Sequence, residues 1–429
     1  MRPWSRRSSA IASAETATDG MQLIEEMSDA DVAEVQESAA LFDGVEETTA
    51  DLRGLLDFLC GWRWLTAGMK RDERAEFEEP LVRTLGYHAA NAYELLARGP
   101  AENVSDFAEL WHEATSIANR EGFLHWEVAF PGVWHRWQES RPQGGFDAVI
   151  GNPPWDRIKL QEVEWFATRD LELALAPTAA ARRKGIQQLR KQGASIAAEF
   201  DAAKAQSESL SKVFRSCGEY PLLSGGDINL YSLFVERSMR LIKPDGFVGL
   251  LTPSGIYADK TAARFFQSVS TSGRIDGLFD FENRRLGTDL SPFFPDVDSR
   301  FKFCALILGG EERRFDQTEC AFFLHDTKTV HDEDRCFPLS PDDFARVNPN
   351  TGTAPVFRNR RDAEITRRIY KQHPVLVKRL QGKKKRAAWR VKYATMFHMA
   401  NDSHFFRTSE QLEAEGFYPI EGNRWKRGE

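Results

Sequence analysis

The stretch Phe146-Asp147-Ala148-Val149-Ile150-Gly151-Asn152-Pro153-Pro154-Trp155 decides how this chain is read. Its first six residues form an apolar run that alternates too little for a half-wet strand and is too short for a helix. The run therefore predicts a buried strand. The next four residues form a loop at its carboxyl end, which is where open α/β sheets place their chemistry.

Each loop residue has a physical task if the substrate is a planar amine. The lone pair of an exocyclic amine such as adenine N6 is delocalised into its ring, so the amine is a poor nucleophile. Two acceptors aimed at its N–H groups draw the nitrogen towards tetrahedral geometry. The Asn152 side-chain carbonyl and the Pro153 backbone carbonyl are the candidates. Pro153 and Pro154 fix φ near −65° and bias the preceding residue to extended backbone, so the acceptors are held in place beforehand. Trp155 offers a face for a flipped base, an interaction worth roughly 1–3 kcal/mol.

Working outward, an α/β rhythm follows the loop. Residues 162–215, rich in Ala, Gln, Arg, Lys and Glu, predict a pair of amphipathic helices, either a cover for the site or scaffold. Asp227 to Lys243 predicts a helix capped by Asp227 and ended by the turn Lys243-Pro-Asp-Gly246. Strands are expected at 247–252, 274–281 and 301–308, with a helix over 261–269. Upstream, residues 22–120 read mostly as helix, and Phe123 to Pro131 reads as strand-like.

Three stretches together carry a family resemblance. Gly145 to Trp155 resembles the catalytic motif of N6-adenine DNA methyltransferases. NLYSLFVERSMRLIKPDGFVGLLTPSG, Asn229 to Gly255, resembles the helix, turn and strand that follow it. TAPVFRNRRDAEITRRIY, Thr353 to Tyr370, resembles the segment leading into the recognition region of large restriction–modification and phage-defence methylases. Glutamine and RNA methyltransferases share the Asn-Pro-Pro-aromatic loop, so the specificity lies in the order of all three.

The resemblance implies an α/β fold, a partial Rossmann-like core of the S-adenosyl-L-methionine-dependent methyltransferase kind with helical insertions. It implies methyl transfer to adenine N6 in double-stranded DNA, with Phe294, or else Phe293, stacking on the flipped base opposite Trp155. It also offers His125, Trp126 and Glu127 as neighbours of the cofactor's adenine, with packing in an aromatic strand as the alternative for His125. The Gly-rich cofactor turn of the family is missing upstream of Asn152: the glycines of the first 140 residues are isolated, and the pair Gly144-Gly145 comes too late. The expectation is thus an internal piece of a larger methylase, catalytic on its own or a DNA-binding part that needs a companion chain for the cofactor strand. A restriction or helicase subunit is the other expected partner.

Composition sets the frame. The 429 residues are 41% hydrophobic and 28% charged, ordinary for a folded protein with two or three domains. No apolar run is long enough to span a membrane, and the N-terminus lacks the apolar core of a signal peptide. Five cysteines form no CxxC pair, so neither structural disulfides nor a zinc site is expected, and a cytoplasmic location is. The loose nuclease pattern of Asp296, Asp326 and Lys328 arises readily by chance.

The net charge of −7 is unevenly spread. Residues 1–60 hold thirteen acidic and four basic residues, a local net of −9, and residues 355–395 hold fourteen basic and two acidic, a local net of +12. That basic block, including Arg358, Arg360, Arg361, Lys383, Lys384, Lys385 and Arg386, is the candidate DNA-binding surface; a solvated basic helix is the alternative. The expected organisation is a helical support region over 1–120, a catalytic core over 121–310, and a basic segment over 311–429.

Overall fold

The computed structural model describes the chain apart from residues 1–4, 29–30, 89–90, 102–105, 140–142, 285–290, 380–384, 390, 392–393, 423 and 429; for 5–9 and 385 it describes backbone only. The chain divides into a unit over Met1–His373 and a second over Pro374–Glu429.

The first unit is built on a six-stranded mixed sheet: β1 (Phe146–Gly151), β2 (Ile242–Pro253), β3 (Ile275–Glu282), β4 (Lys302–Gly309), β5 (Thr318–Leu324) and β6 (Phe337–Leu339). Their spatial order is β1-β2-β4-β3-β5-β6. β1 runs parallel to β2 and β3 parallel to β5, while β4 lies antiparallel between β2 and β3. The sheet thus continues past residue 310, the expected end of the core. The sheet and the helices packed on it form an α/β fold, the expected class.

Alternation in β2 sends Val248 and Leu250 into the core, where they meet Leu278, Leu306, Phe322 and the helix-borne Tyr231, Val235, Phe265 and Phe266. Burying each such side chain contributes about 1.5–3 kcal/mol, which makes this cluster the main stabiliser of the unit. The helix Leu230–Leu241 begins at Asn229 rather than at the expected Asp227, and Asn229 makes no side-chain cap bond. Its start is held by backbone instead, Leu230 N–H donating to the Asp156 carbonyl at 2.9 Å.

β1 differs from the expected buried strand. It is the edge of the sheet among the described residues, and Ile150 is 84% exposed. The apolar run is a strand, as expected, but only one of its two sides is paired. Gly145 sets its entry: φ is +119°, and a Cβ there would come within 2.7 Å of the Ile242 carbonyl carbon.

Phe123 to Pro131 is not a strand. Trp126–Ala129 is a short helix, followed by a 3-10 turn over Pro131–Val133. Trp126 and Phe130, four apart, stack with centroids 5.7 Å apart and both meet Phe146 edge-on, an arrangement that suits helical spacing. Upstream, Val32–Leu65, Arg71–Tyr87, Ala92–Arg98 and Asp106–Glu121 are helices around a separate core of Phe58, Trp62, Phe107 and Leu110. The insert holds two longer helices, Ala179–Lys191 and Ser195–Ser216, with short ones at Glu162–Ala167 and Leu171–Ala174. In the second unit, two antiparallel strand pairs, Val377–Arg379 with Lys385–Ala387 and Phe417–Ile420 with Arg424–Arg427, accompany the helix Ser409–Ala414.

Candidate functional site

The ends of β1, β2, β3 and β5 and the start of β4 meet along one edge of the sheet. Asn152 to Trp155 leaves β1 at that edge, with Pro153 buried, Trp155 half-buried, and Asn152 and Pro154 exposed. The loop's exit is pinned by the Arg157–Asn229 bridge and by Ile158 N–H donating to the Ile228 carbonyl at 3.1 Å.

The Trp155 ring meets Phe294 edge-on, with centroids 5.1 Å apart at 69°, and lies 6.0 Å from Phe303. Its indole N–H donates to Asn152 Oδ1 at 3.1 Å. The two residues expected to sandwich a base therefore touch each other, with no slot between them. The acceptor expected to take the amine is already paired. Phe293, the second choice, packs edge-on against Phe281 and Phe303.

Sequence reasoning misses what holds Phe294. Asn283 is fully buried just past β3, and its side chain spends all three bonds on one loop. Nδ2 donates to the carbonyls of Phe294 at 3.0 Å and Val297 at 2.8 Å, while Phe294 N–H donates to Oδ1 at 2.9 Å. The only sequence signal is an Asn at a strand end, which turns also use.

Two carboxylates of β3 lie near this edge and are shifted in opposite directions. Burial alone would raise Glu282, but hydrogen bonds from His325, Lys302 and Arg284 outweigh it and hold the carboxyl at about 2. The contacts are 2.8 Å from His325 and 3.0 Å from Lys302. Burial pushes Asp280 up despite hydrogen bonds from Ser254 and Tyr257, and its Oδ2 has no partner. Among the described residues no group of His, Cys, Asp and Glu could hold a metal ion. Nor is any described helix long and apolar enough to cross a membrane.

Beside β1 and the loop lies a cavity of about 820 Å³, lined by Leu124, Trp126, Phe130, Ile150, Asn152 and Phe234 among others. Aromatic and aliphatic walls suit the adenine ring of S-adenosyl-L-methionine. Among the described residues Arg237 is the one charged lining residue, and no carboxylate is there to bind a ribose diol or the cofactor's ammonium group. These residues thus fit part of the cofactor and not the whole. Trp126 lines this cavity, whereas Glu127 lines another, with Trp134, His135 and Lys243.

The basic candidates fall in both units. Arg360 donates to the Glu333 carbonyl at 2.7 Å and the Cys336 carbonyl at 3.0 Å, so its guanidinium ties the fold. Arg358 is exposed with its guanidinium 5.9 Å from the Phe323 ring, and Arg361 is exposed on the helix Arg360–Gln372. Arg386 lies in the second unit, exposed and opposite Lys378. Lys385 pairs by backbone with Arg379, and Lys383 and Lys384 fall outside the described residues.

Residues 87–179 and 206–286 match the model of the Eco57I restriction-modification methylase family. No curated protein matches. Among solved structures, the chain is similar to the DrdV–DNA complex at 12% identity, covering 58% of this chain and 22% of that one, with a TM-score of 0.27. It is similar to the type I restriction-modification methyltransferase subunit from Streptococcus thermophilus at 12% identity, covering 63% of this chain and 52% of that one, with a TM-score of 0.28. A nuclease-deletion mutant of the Type ISP enzyme LlaGI with a DNA substrate mimic is similar at 12% identity over 54% of this chain and 15% of that one, with a TM-score of 0.24. The chain thus spans between about a seventh and about half of these proteins, and its fold assignment rests on its own strand order. The two matched stretches take in the clamp loop, the helix Leu230–Leu241 and β2, and over them the chain is similar to the Eco57I restriction-modification methylases.

Proposed function

We propose that this chain supplies the acceptor side of a DNA methyltransferase acting on adenine N6, in a restriction–modification or phage-defence system. The observation that carries this is the Asn152 to Trp155 loop at the carboxyl edge, seated on Phe294 and Phe303 and inside the family match. S-adenosyl-L-methionine supplies the methyl group when bound.

Asn152 Oδ1 and the Pro153 carbonyl accept hydrogen bonds from the base's amine, and Trp155 and Phe294 hold its ring. For that, the Trp155 indole leaves Asn152 Oδ1 and the two rings part. Losing one hydrogen bond costs about 0.5–1.5 kcal/mol. Stacking a base contributes roughly 1–3 kcal/mol, which offsets the loss of that hydrogen bond.

The alternative is a chain that binds DNA but needs a companion to complete the cofactor site. Two observations among the described residues favour it for the isolated chain: the lining of the aromatic cavity holds no carboxylate, and one side of β1, beside that cavity, is unpaired. Titration of the purified chain with S-adenosyl-L-methionine separates the two. Binding below millimolar concentration supports autonomous activity, and its absence supports the companion. In either case Asn152→Ala removes methylation while DNA affinity stays within about twofold of the parent.

A further inference from the structure

The insert that follows the clamp carries a groove of about 610 Å³ between the Lys159–Leu160 segment, the helices Ala179–Lys191 and Ser195–Ser216, and Asp227–Ile228. Five cations line it: Lys159, Arg183, Lys204, Lys212 and Arg215. They are all exposed. Of the three carboxylates at the groove, Glu162 is engaged by Arg182 at 3.2 Å, which leaves Glu208 and Asp227 against five positive charges. Arg215 donates to the Gly226 carbonyl at 2.7 Å. The other four cations hold no carboxylate within ion-pair distance among the described residues, in contrast to Arg182, Arg190 and Arg367.

We propose that this groove binds the sugar-phosphate backbone of the DNA flanking the base held at the clamp, a site separate from the basic block at 355–395. The proposal rests on the DNA reading above and adds where the backbone runs. Connection to the clamp is direct: Lys159 lies four residues past Trp155. The floor is locked to the helix Ser195–Ser216, since Ser207 Oγ donates to the Ile158 carbonyl at 2.7 Å and accepts from Leu160 N–H at 3.0 Å. Spacing also fits. Lys204 and Lys212, eight residues apart on one helix, stand about 12 Å apart along its axis. That is the axial length of three to four nucleotides of one strand at about 3.4 Å each. The neighbouring helix Ala179–Lys191 holds five basic residues and no acidic one, so its field adds to the same side.

The test is binding of a fluorescent mixed-sequence duplex to the full chain across a salt series, with no methyl donor present. The triple variant Arg183→Ala, Lys204→Ala, Lys212→Ala should lower the slope of log affinity against log salt by about 2 to 3, near 0.9 for each phosphate no longer neutralised. Its affinity at 0.1 M salt should fall by roughly tenfold or more. The charge-keeping variant Arg183→Lys, Lys204→Arg, Lys212→Arg should retain the parent slope, which separates charge from folding. An unchanged slope and affinity in the alanine variant overturns the groove, as does a parent chain that binds no duplex at low salt. If methylation proves absent or independent of Asn152 while the groove variant still loses DNA, the adenine reading falls and the groove stands.

Discussion

Asn283 and the two prolines solve the same problem by different means, each fixing one wall of the clamp. Pro153 and Pro154 restrict backbone torsions. Asn283 holds Phe294 through three hydrogen bonds in a fully buried setting. Asn283→Ala would leave the Phe294 N–H and two carbonyls without partners, and we expect it to cost about 2–4 kcal/mol in urea unfolding. Asn283→Asp should not rescue it, because a carboxylate faces two carbonyls. Glu282 gives a pH signature with a definite sign. Its folded carboxyl is depressed to about 2 against an ordinary 4.5, so the stability it contributes is present above about pH 4.5 and is lost as pH falls towards 2. Glu282→Gln should flatten that acid limb of a stability–pH curve, a change of about 1–3 kcal/mol. Asn152, Pro153 and Trp155 were legible in the sequence because torsion limits and residue chemistry are local. The contact of Trp155 with Phe294 and the role of Asn283 depend on approaches between separate segments, which local pattern does not encode.

At the scale of elements, β3 and β4 lie within one residue of their expected places, while β2 starts five residues early and takes in the expected turn Lys243 to Gly246. β1 shows the limit: an apolar run marks a strand but not how many neighbours it has. Trp126 to Phe130 shows another, since aromatic spacing of four overrode a strand-like composition. Gly145 is the element-scale lever. Its positive φ and the close backbone of Ile242 both oppose a side chain, so Gly145→Ala should cost about 2 kcal/mol or more and loosen the pairing of β1 with β2. Hydrogen exchange would locate the loss in residues 146–151, ahead of the parallel partner. Equal protection in parent and variant would contradict the assignment.

For the whole molecule, the sheet has an open side. An exposed Ile150 on a strand with one side unpaired among the described residues is a template for another strand, and natural edges are usually charged or covered. Ile150→Arg should leave unfolding stability within about 0.5 kcal/mol of the parent, as expected for an exposed site. The same change should prevent a companion carrying the cofactor strand from pairing there, which size-exclusion of the mixed chains would show. Charge at this scale was half legible. The basic block at 355–395 stood out by composition, yet Arg360 serves the fold, while the exposed cations of the groove are interspersed with acids in sequence and converge only in three dimensions. The central claim is that the Asn152 to Trp155 loop acts on adenine N6 in DNA. It is tested most directly by incubating duplex DNA with the chain, its companion and S-adenosyl-L-methionine bearing a labelled methyl group, then digesting the DNA to nucleosides and identifying the labelled one. The account predicts label in N6-methyldeoxyadenosine alone, lost in Asn152→Ala; label in any other nucleoside, label that survives that substitution, or no label at all would contradict it.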